Sequence, residues 1–433
     1  MSKHRLYLQS VALVSTLVPG VAAAQVSPSG EPVKESAAPD VQQSSGGLEE
    51  IVVTARKRQE TAQDVPVVVT ALNAEAIERR GIASIEDIAA AVPGLSLQAS
   101  GNPTQNVLNL RGIESGNIGV GFEQPVSINV DGVQFSNAEF LRVGQFDIEH
   151  IEVLKGPQAL FFGKNSPGGV ISIRTANPTP DFFAQVRAGY EFGTRKAIAE
   201  TVLSGPLAEG VGGRLAVSYT DSDGWWENLH PSAARKRLPQ YKEWIFRGTL
   251  RAEVSDALDA TLKFTYQRNR GADYLYQDLV GCRSDVASYA PFDDCKLNGK
   301  GESADPSAWA GFDPTLSKLW ADDPYGKYNT YIGSAEVNYR ANDQVTLTSV
   351  TGYSRLDNRR FDNIITGGAP QLLFIGDRQF QESFSEELRV SADLDNVRLL
   401  AGAYLDDRKV RQDSNVVLVV SVVRTFGADR CVN

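Results

Sequence analysis

Histidine, cysteine and methionine are all scarce in this 433-residue chain, which has three His, three Cys and one Met. So few histidines leave little material for a histidine-based catalytic or metal centre. Three cysteines cannot make a disulfide framework the main staple of the fold. No apolar run reaches the roughly 18 residues that a transmembrane helix requires, so that kind of membrane span is excluded. Basic residues are not in excess. Lys and Arg number 43 against 53 Asp and Glu, giving a net charge of −10, and this argues against a general nucleic-acid binder. What the chain does have is 42% hydrophobic residues, 38 Gly and 14 Tyr. That is enough apolar matter to fold, with a lean towards strands and turns, over two or three domains.

The first residues read as an export signal. Lys3 and Arg5 form a basic start, Leu6 to Val18 is an apolar stretch, and Ala22-Ala23-Ala24 before Gln25 is a small-residue cleavage site. Residues 1–24 are therefore expected to be removed on export, and the mature chain to work outside the cytoplasm. Residues 25–48 are rich in Ser, Pro, Gln, Gly and Ala, and read as a flexible linker. Within residues 49–58 lies an apolar island, Ile51-Val52-Val53-Thr54, framed by Glu49-Glu50 and Arg56-Lys57-Arg58. Its β-branched residues favour an extended form. It reads either as a tethered strand free to pair with another protein's sheet edge, or as the first strand of the next domain.

Residues 59–178 read as a mixed α+β domain. A strand is expected over Val65 to Thr70 and a helix over Asn73 to Arg80, closed by Gly81. Ser84 and Asp87 have the spacing of a capping box for a second helix that ends near Val92, before Pro93 and Gly94. β-Branched runs follow at Val107–Leu110, Val126–Val130, Ile148–Leu154 and Val170–Ile173, each bounded by turn residues. From residue 179 the pattern changes to long period-two runs. Leu215, Val217 and Tyr219 share one face, as do Leu262, Phe264 and Tyr266, and Ala335, Val337 and Tyr339. Runs of about ten residues with aromatics near their ends fit membrane-spanning strands better than shorter soluble ones. Short turns at Gly205–Gly213 and Ser255–Asp259 alternate with long loops at Trp225–Glu243, Asp273–Lys327 and Asp362–Arg378. The aromatic residues Trp225, Trp226, Trp244, Trp309, Trp320, Tyr274, Tyr276, Tyr325, Tyr328 and Tyr331 are expected mostly in an interfacial girdle.

No constellation supports catalysis. Gly156 to Asn165 brushes against a phosphate-binding loop, but its glycines are wrongly spaced and Asn165 stands where Ser or Thr is needed. His150 and His230 lack any surrounding motif. Cys282 and Cys295 share the longest loop, where a disulfide would pin it in an oxidising compartment. Cys431 is left over. No metal site and no cofactor are expected.

Taken in order, these segments resemble the N-terminal half of a TonB-dependent outer-membrane receptor. Glu50, Ile51, Val52, Val53, Thr54 and Ala55 resemble the TonB box. The plug resemblance rests on Ala90–Leu95, Leu110-Arg111-Gly112-Ile113, Val130-Asp131-Gly132-Val133, Ile151 to Gln158 with Gly156 and Pro157, and Phe162 to Ile173 with Gly163, Gly168 and Gly169. The resemblance implies a plug followed by antiparallel transmembrane β-barrel strands, with residues 179–433 supplying about nine or ten of the family's 22. It implies energy-coupled uptake of a scarce nutrient, most often a ferric siderophore, with cobalamin, a carbohydrate or another metal complex as alternative cargo. It places the chain in the outer membrane among lipid, with the plug and TonB box towards the periplasm and TonB, with ExbB and ExbD, as partners. Asn102, Gln105, Asn117 and Glu123, on two polar plug turns, are the candidate ligand contacts.

One departure from the family matters geometrically. Ten tilted strands close a barrel only about 20 Å across. A 120-residue plug is about 35 Å wide. The expectation from this mismatch is a truncated or split receptor product, non-transporting or a binding-only plug module.

Overall fold

The computed structural model describes the chain from residue 52 to residue 420, outside 54–56, 58–59, 62–64, 99–106, 115–122, 136–145, 164, 232–234, 273–277, 279, 281–291, 303–325, 364–370 and 395–396. The proposed signal peptide and linker lie outside the described residues.

The plug comes first. β1 (Val52–Val53) pairs antiparallel with β2 (Glu60–Thr61). β3 (Val68–Asn73) leads straight into α1 (Ala74–Arg80), whose first turn is capped by the Asn73 side chain and whose end is turned by Gly81 at φ 63°. The expected start of β3 at Val65 moves to Val68, because Pro66 has no amide to give to a ladder. Val65 instead buries its side chain in a small apolar cluster. α2 (Ile85–Ala91) starts where Ser84 Oγ accepts the Asp87 amide, and it buries Ile85 and Ile88. β4 (Leu95–Gln98) and β5 (Val107–Leu110) form a two-stranded pair. β6 (Val126–Val130), β7 (Val133–Phe135), β8 (Ile148–Lys155) and β9 (Gly169–Thr175), with the short α3 (Ala159–Phe162) between the last two, complete the plug. Its main sheet runs β3-β8-β9-β6-β7. β6 reads as an unbroken buried run because it lies inside the sheet, parallel to β9 and antiparallel to β7.

The second unit is one nine-stranded antiparallel sheet. Its strands are β10 (Phe183–Glu191), β11 (Lys196–Ala208), β12 (Val211–Ser222), β15 (Gln240–Ser255), β16 (Leu258–Ala272), β18 (Gly326–Arg340), β19 (Val345–Asn363), β20 (Gln371–Leu394) and β21 (Val397–Val420). Neighbours pair in chain order, so the topology is a plain meander. The connection between β12 and β15 holds β13 (Trp226–Asn228) and β14 (Arg237–Leu238), and that between β16 and β18 holds β17 (Lys300–Gly301). These three short strands form a separate small sheet. Short turns at 209–210, 256–257 and 341–344 all sit at one end of the large sheet, and the long connections sit at the other.

The strands reach further than the turn signals suggest. Gly205 and Pro206 are part of β11, Gln240–Glu243 open β15, and β20 already begins at Gln371. The polar residues there read as loop because both faces of a strand beyond the apolar band meet water or polar neighbours. β20 and β21 each run 24 residues. That is more than twice the 9–11 or so residues that cross a bilayer.

The two faces of the sheet differ. One face exposes Leu215, Leu250, Leu262, Phe264, Leu347 and Leu388, each more than 40% accessible. The other is polar and packs on the plug, where Ile332 and Leu356 join the plug's own apolar core. A continuous apolar face of this extent has the character of a lipid-facing strand surface. Along its rim, Tyr219, Trp244, Phe246, Tyr266 and Tyr331 stack in sequence across four strands. Trp226 and Tyr328 are not part of this girdle. Trp226 is fully buried in the small sheet with its indole N–H on Asp278, and Tyr328 faces the polar side and is buried. Trp309, Trp320, Tyr274, Tyr276 and Tyr325 lie outside the described residues.

Candidate functional site

Two regions concern function, the N-terminal segment and the seam where the plug meets the sheet. Of the six TonB-box candidates, Val52 and Val53 are described. Glu50, Ile51, Thr54 and Ala55 lie outside the described residues. Val53 is fully buried beside Val65, Leu154, Phe162 and Val170. The island is thus paired with the plug's own β2, not left as a free tethered strand. Lys57 follows in a left-handed turn at φ 61°. Its ammonium pairs with Glu387 on β20 at 3.1 Å and sits 4.7 Å from the centre of the Phe162 ring. Burial pushes the Lys57 ammonium below its ordinary pKa, and the Glu387 carboxylate opposes that push. Glu387 lies in the half of β20 nearer the short turns, so the N-terminal segment is tied to the wall at that end.

The plug motifs prove to be turns and close contacts. Asp131 and Gly132 are the two central residues of the β6–β7 hairpin, with φ of 50° and 87°. Two successive positive φ values make this a type I′ turn, which Asp-Gly suits. Gly132 is needed twice over. A Cβ there would also come within 2.8 Å of Val350 on β19. Gly169 sits at φ 145° with Leu154 O and Leu110 so close that any side chain would collide with backbone. Arg111 and Gly112 make a second positive-φ pair between β5 and the Leu110–Ile113 bridge. Gly156 and Gly163 also have positive φ, Pro157 lies between Gly156 and α3, and Gly168 packs tightly on Pro125 and Ile113.

Asp131 does more than turn the chain. Its carboxylate accepts the Thr175 amide at 3.0 Å, the Thr175 hydroxyl at 2.7 Å and Lys263 Nζ of β16 at 3.0 Å. Lys263 also donates to Thr175 O at 2.6 Å. Burial alone would push the Asp131 carboxyl up, but Lys263 and the Thr175 amide outweigh it and hold the group below its ordinary value. Similar fastenings recur along the wall. Arg214 of β12 grips Asp147 with two nitrogens. The Arg247 guanidinium of β15 donates to Phe146 O and, on its other side, to Thr265. Plug Arg174 meets Glu336 of β18 at 3.1 Å, and Arg408 of β21 meets plug Glu123 at 3.1 Å. Sequence reading missed this seam. Its wall-side members are lone charges on strand faces, and nothing local distinguishes them from solvated residues.

Of the candidate ligand residues, Glu123 is described and serves in that ion pair. Asn102, Gln105 and Asn117 lie outside the described residues. Cys295 is disulfide-bonded, and Cys282 lies outside the described residues. His230 is buried in the small sheet, 3.7 Å from Glu302, and His150 lies 3.4 Å from Glu152. No group of metal-ligating side chains occurs among the described residues.

A mixed plug fastened to the polar face of a long-stranded, apolar-backed sheet defines the architecture of a plugged transmembrane barrel. Residues 61–170 match the family described as TonB-dependent Receptor Plug Domain. The pesticin receptor of Yersinia pestis is 29% identical over 214 residues, which are 49% of this chain and 28% of that protein. The vitamin B12 transporter BtuB of Vibrio vulnificus is 26% identical over 234 residues, covering 52% of this chain and 36% of that one. The chain thus spans about a third of the length of these relatives. Among solved structures, the ferric yersiniabactin uptake receptor FyuA from Yersinia pestis aligns with a TM-score of 0.65 at 20% identity, over 82% of this chain and 51% of that one. The ferripyoverdine receptor of Pseudomonas aeruginosa aligns with a TM-score of 0.63 at 15% identity, over 84% and 45%. Residues 61–170 are thus a plug domain of the TonB-dependent receptor type, and the strands that follow share the fold of such receptors' barrels. The matched family is one of receptors, not of enzymes.

Proposed function

We propose that this chain serves in an outer-membrane receptor that imports a scarce nutrient with energy delivered through TonB, and that its cargo is an iron complex of the siderophore type. The observation that carries the reading is the N-terminal segment. A two-residue strand pairs with the plug, and the lysine just after it is tied to the wall. So short a pairing is readily exchanged for a partner's strand, and a pull on it is transmitted to both plug and wall. TonB, working with ExbB and ExbD, is the partner that supplies the pull from the periplasm. Outer-membrane lipid covers the apolar face. The names of the relatives favour ferric siderophores. The vitamin B12 transporters among them support cobalamin as the second reading, and a carbohydrate or another metal complex is a third.

Val52→Pro tests this. Proline removes the amide that a partner strand must use. TonB-dependent uptake of radioiron is expected to be lost while cargo still binds to outer-membrane preparations. Equal loss of binding would sink the assignment.

A further inference from the structure

Beyond the level where the plug core packs on the wall, the inner face of the sheet carries a row of polar side chains, all but one of them uncharged. The pairing register runs Glu243 (β15), Asn269 (β16), Tyr328 (β18), Asn358 (β19) and Gln379 (β20) side by side across five strands. The row lies towards the long-connection end, opposite the end where Lys57 is tied. Asn269, Asn358 and Gln379 are each at most 3% accessible. Both polar atoms of the Asn358 amide, the Gln379 amide nitrogen and the Asn269 amide oxygen have no hydrogen-bond partner, and neither has Ser354 Oγ four residues back along β19. The other Asn269 atom and Gln267 both donate to Glu243, at 3.0 and 2.7 Å. Arg408, four residues from this level on β21, pairs with Glu123 and Asp406.

A buried donor or acceptor left unmade costs roughly 1–3 kcal/mol, so a cluster of them is expected to be met by something that makes those bonds. The geometry points to a cargo-recognition wall at Asn269, Asn358 and Gln379 for a molecule of no net charge that is rich in hydroxyl, amide or hydroxamate oxygens. This rests on the uptake reading and narrows its cargo. Carboxamides present a donor and an acceptor together, so they suit neutral oxygen-rich groups. The one charge in the row, on Glu243, is negative and disfavours an anion. Two sources share the required chemistry: a neutral ferric hydroxamate and a neutral oligosaccharide.

The test is equilibrium binding to the intact protein in outer-membrane preparations without energisation, using three probes: a neutral ferric trihydroxamate, a maltooligosaccharide and a trianionic ferric tricatecholate. One of the two neutral probes is expected to bind most tightly, and which one it is identifies the source. Asn358→Leu and Gln379→Leu are each expected to weaken that binding roughly tenfold or more. Asn358→Asp keeps the shape and guards against misfolding, and it is expected to weaken binding while leaving heat-modifiable migration unchanged. Tightest binding by the tricatecholate would overturn the proposal. So would unchanged affinity for all probes in both leucine variants, which would mean that water alone satisfies the amides. A protein that binds the neutral probe but does not import it would overturn the uptake reading and leave this one standing.

Discussion

At the scale of single residues, Asp131 concentrates several demands. It turns the β6–β7 hairpin in a left-handed conformation, ties β9 through Thr175 and holds Lys263 of the wall. Removing one partner of a buried pair strands the other, and this costs more than the pair itself contributes. Asp131→Asn is therefore expected to weaken plug seating by about 3 kcal/mol, read as faster hydrogen exchange in β6 and β9. Adding Lys263→Met should recover part of that loss, because the orphaned charge is then gone. Acid should act like the substitution. The folded-state pKa of Asp131 lies below the ordinary 3.8. Its contribution is therefore fully present above that value and is lost as pH falls through 3.8 and on through the folded pKa. Exchange protection that stays constant from pH 5 to below 3 would contradict this assignment of charge.

At the scale of elements, the small sheet of β13, β14 and β17 carries its own titrating group. Glu302 follows β17, is almost fully buried, accepts the Phe292 amide at 2.8 Å and donates its own amide to Asp293. Burial raises its pKa from 4.5 to about 7, against the pull of the Phe292 amide. Between those two values the folded sheet holds a proton that the unfolded loop releases. The small sheet is therefore expected to be most stable below about pH 4.5, to weaken as pH rises to about 7 and to change little beyond. Trp226, buried in the same sheet, is the reporter, and Glu302→Gln should flatten the profile of its fluorescence. Elements such as this sheet were not legible in the sequence, which showed only a polar loop around Trp225–Glu243. Its strands are two or three residues long and depend on a partner across the β16–β18 connection. What was legible was governed locally. Asn73 and Ser84 sit at helix starts, and the period-two alternation sets the faces of β12, β16 and β18. The polar row and the seam escaped, because they exist only once the register brings distant strands together.

At the scale of the whole molecule, the sheet's wall and the plug are joined through seven strands: β10, β12, β15, β16, β18, β20 and β21 each contribute a charged side chain that meets the plug. On the proposed function, cargo recognition at one end and a pull at the other can be coupled only if this seam yields. A change in one ion pair shifts the balance by a few kcal/mol at most, whereas a covalent tether forbids the motion outright. β7 offers the place for one. A Cβ at Gly352 of β19 would lie 3.1 Å from the Val133 side chain, so Val133→Cys with Gly352→Cys places two thiols within reach of a disulfide or a short bifunctional reagent. The tethered receptor is expected to bind cargo with unchanged affinity and to import none, and reductant should restore import to the level of the single cysteine variants. Import that persists in the fully tethered protein would mean that β7 does not move against β19 during transport. The passage would then have to open elsewhere along the seam, nearest to Lys57 and Glu387.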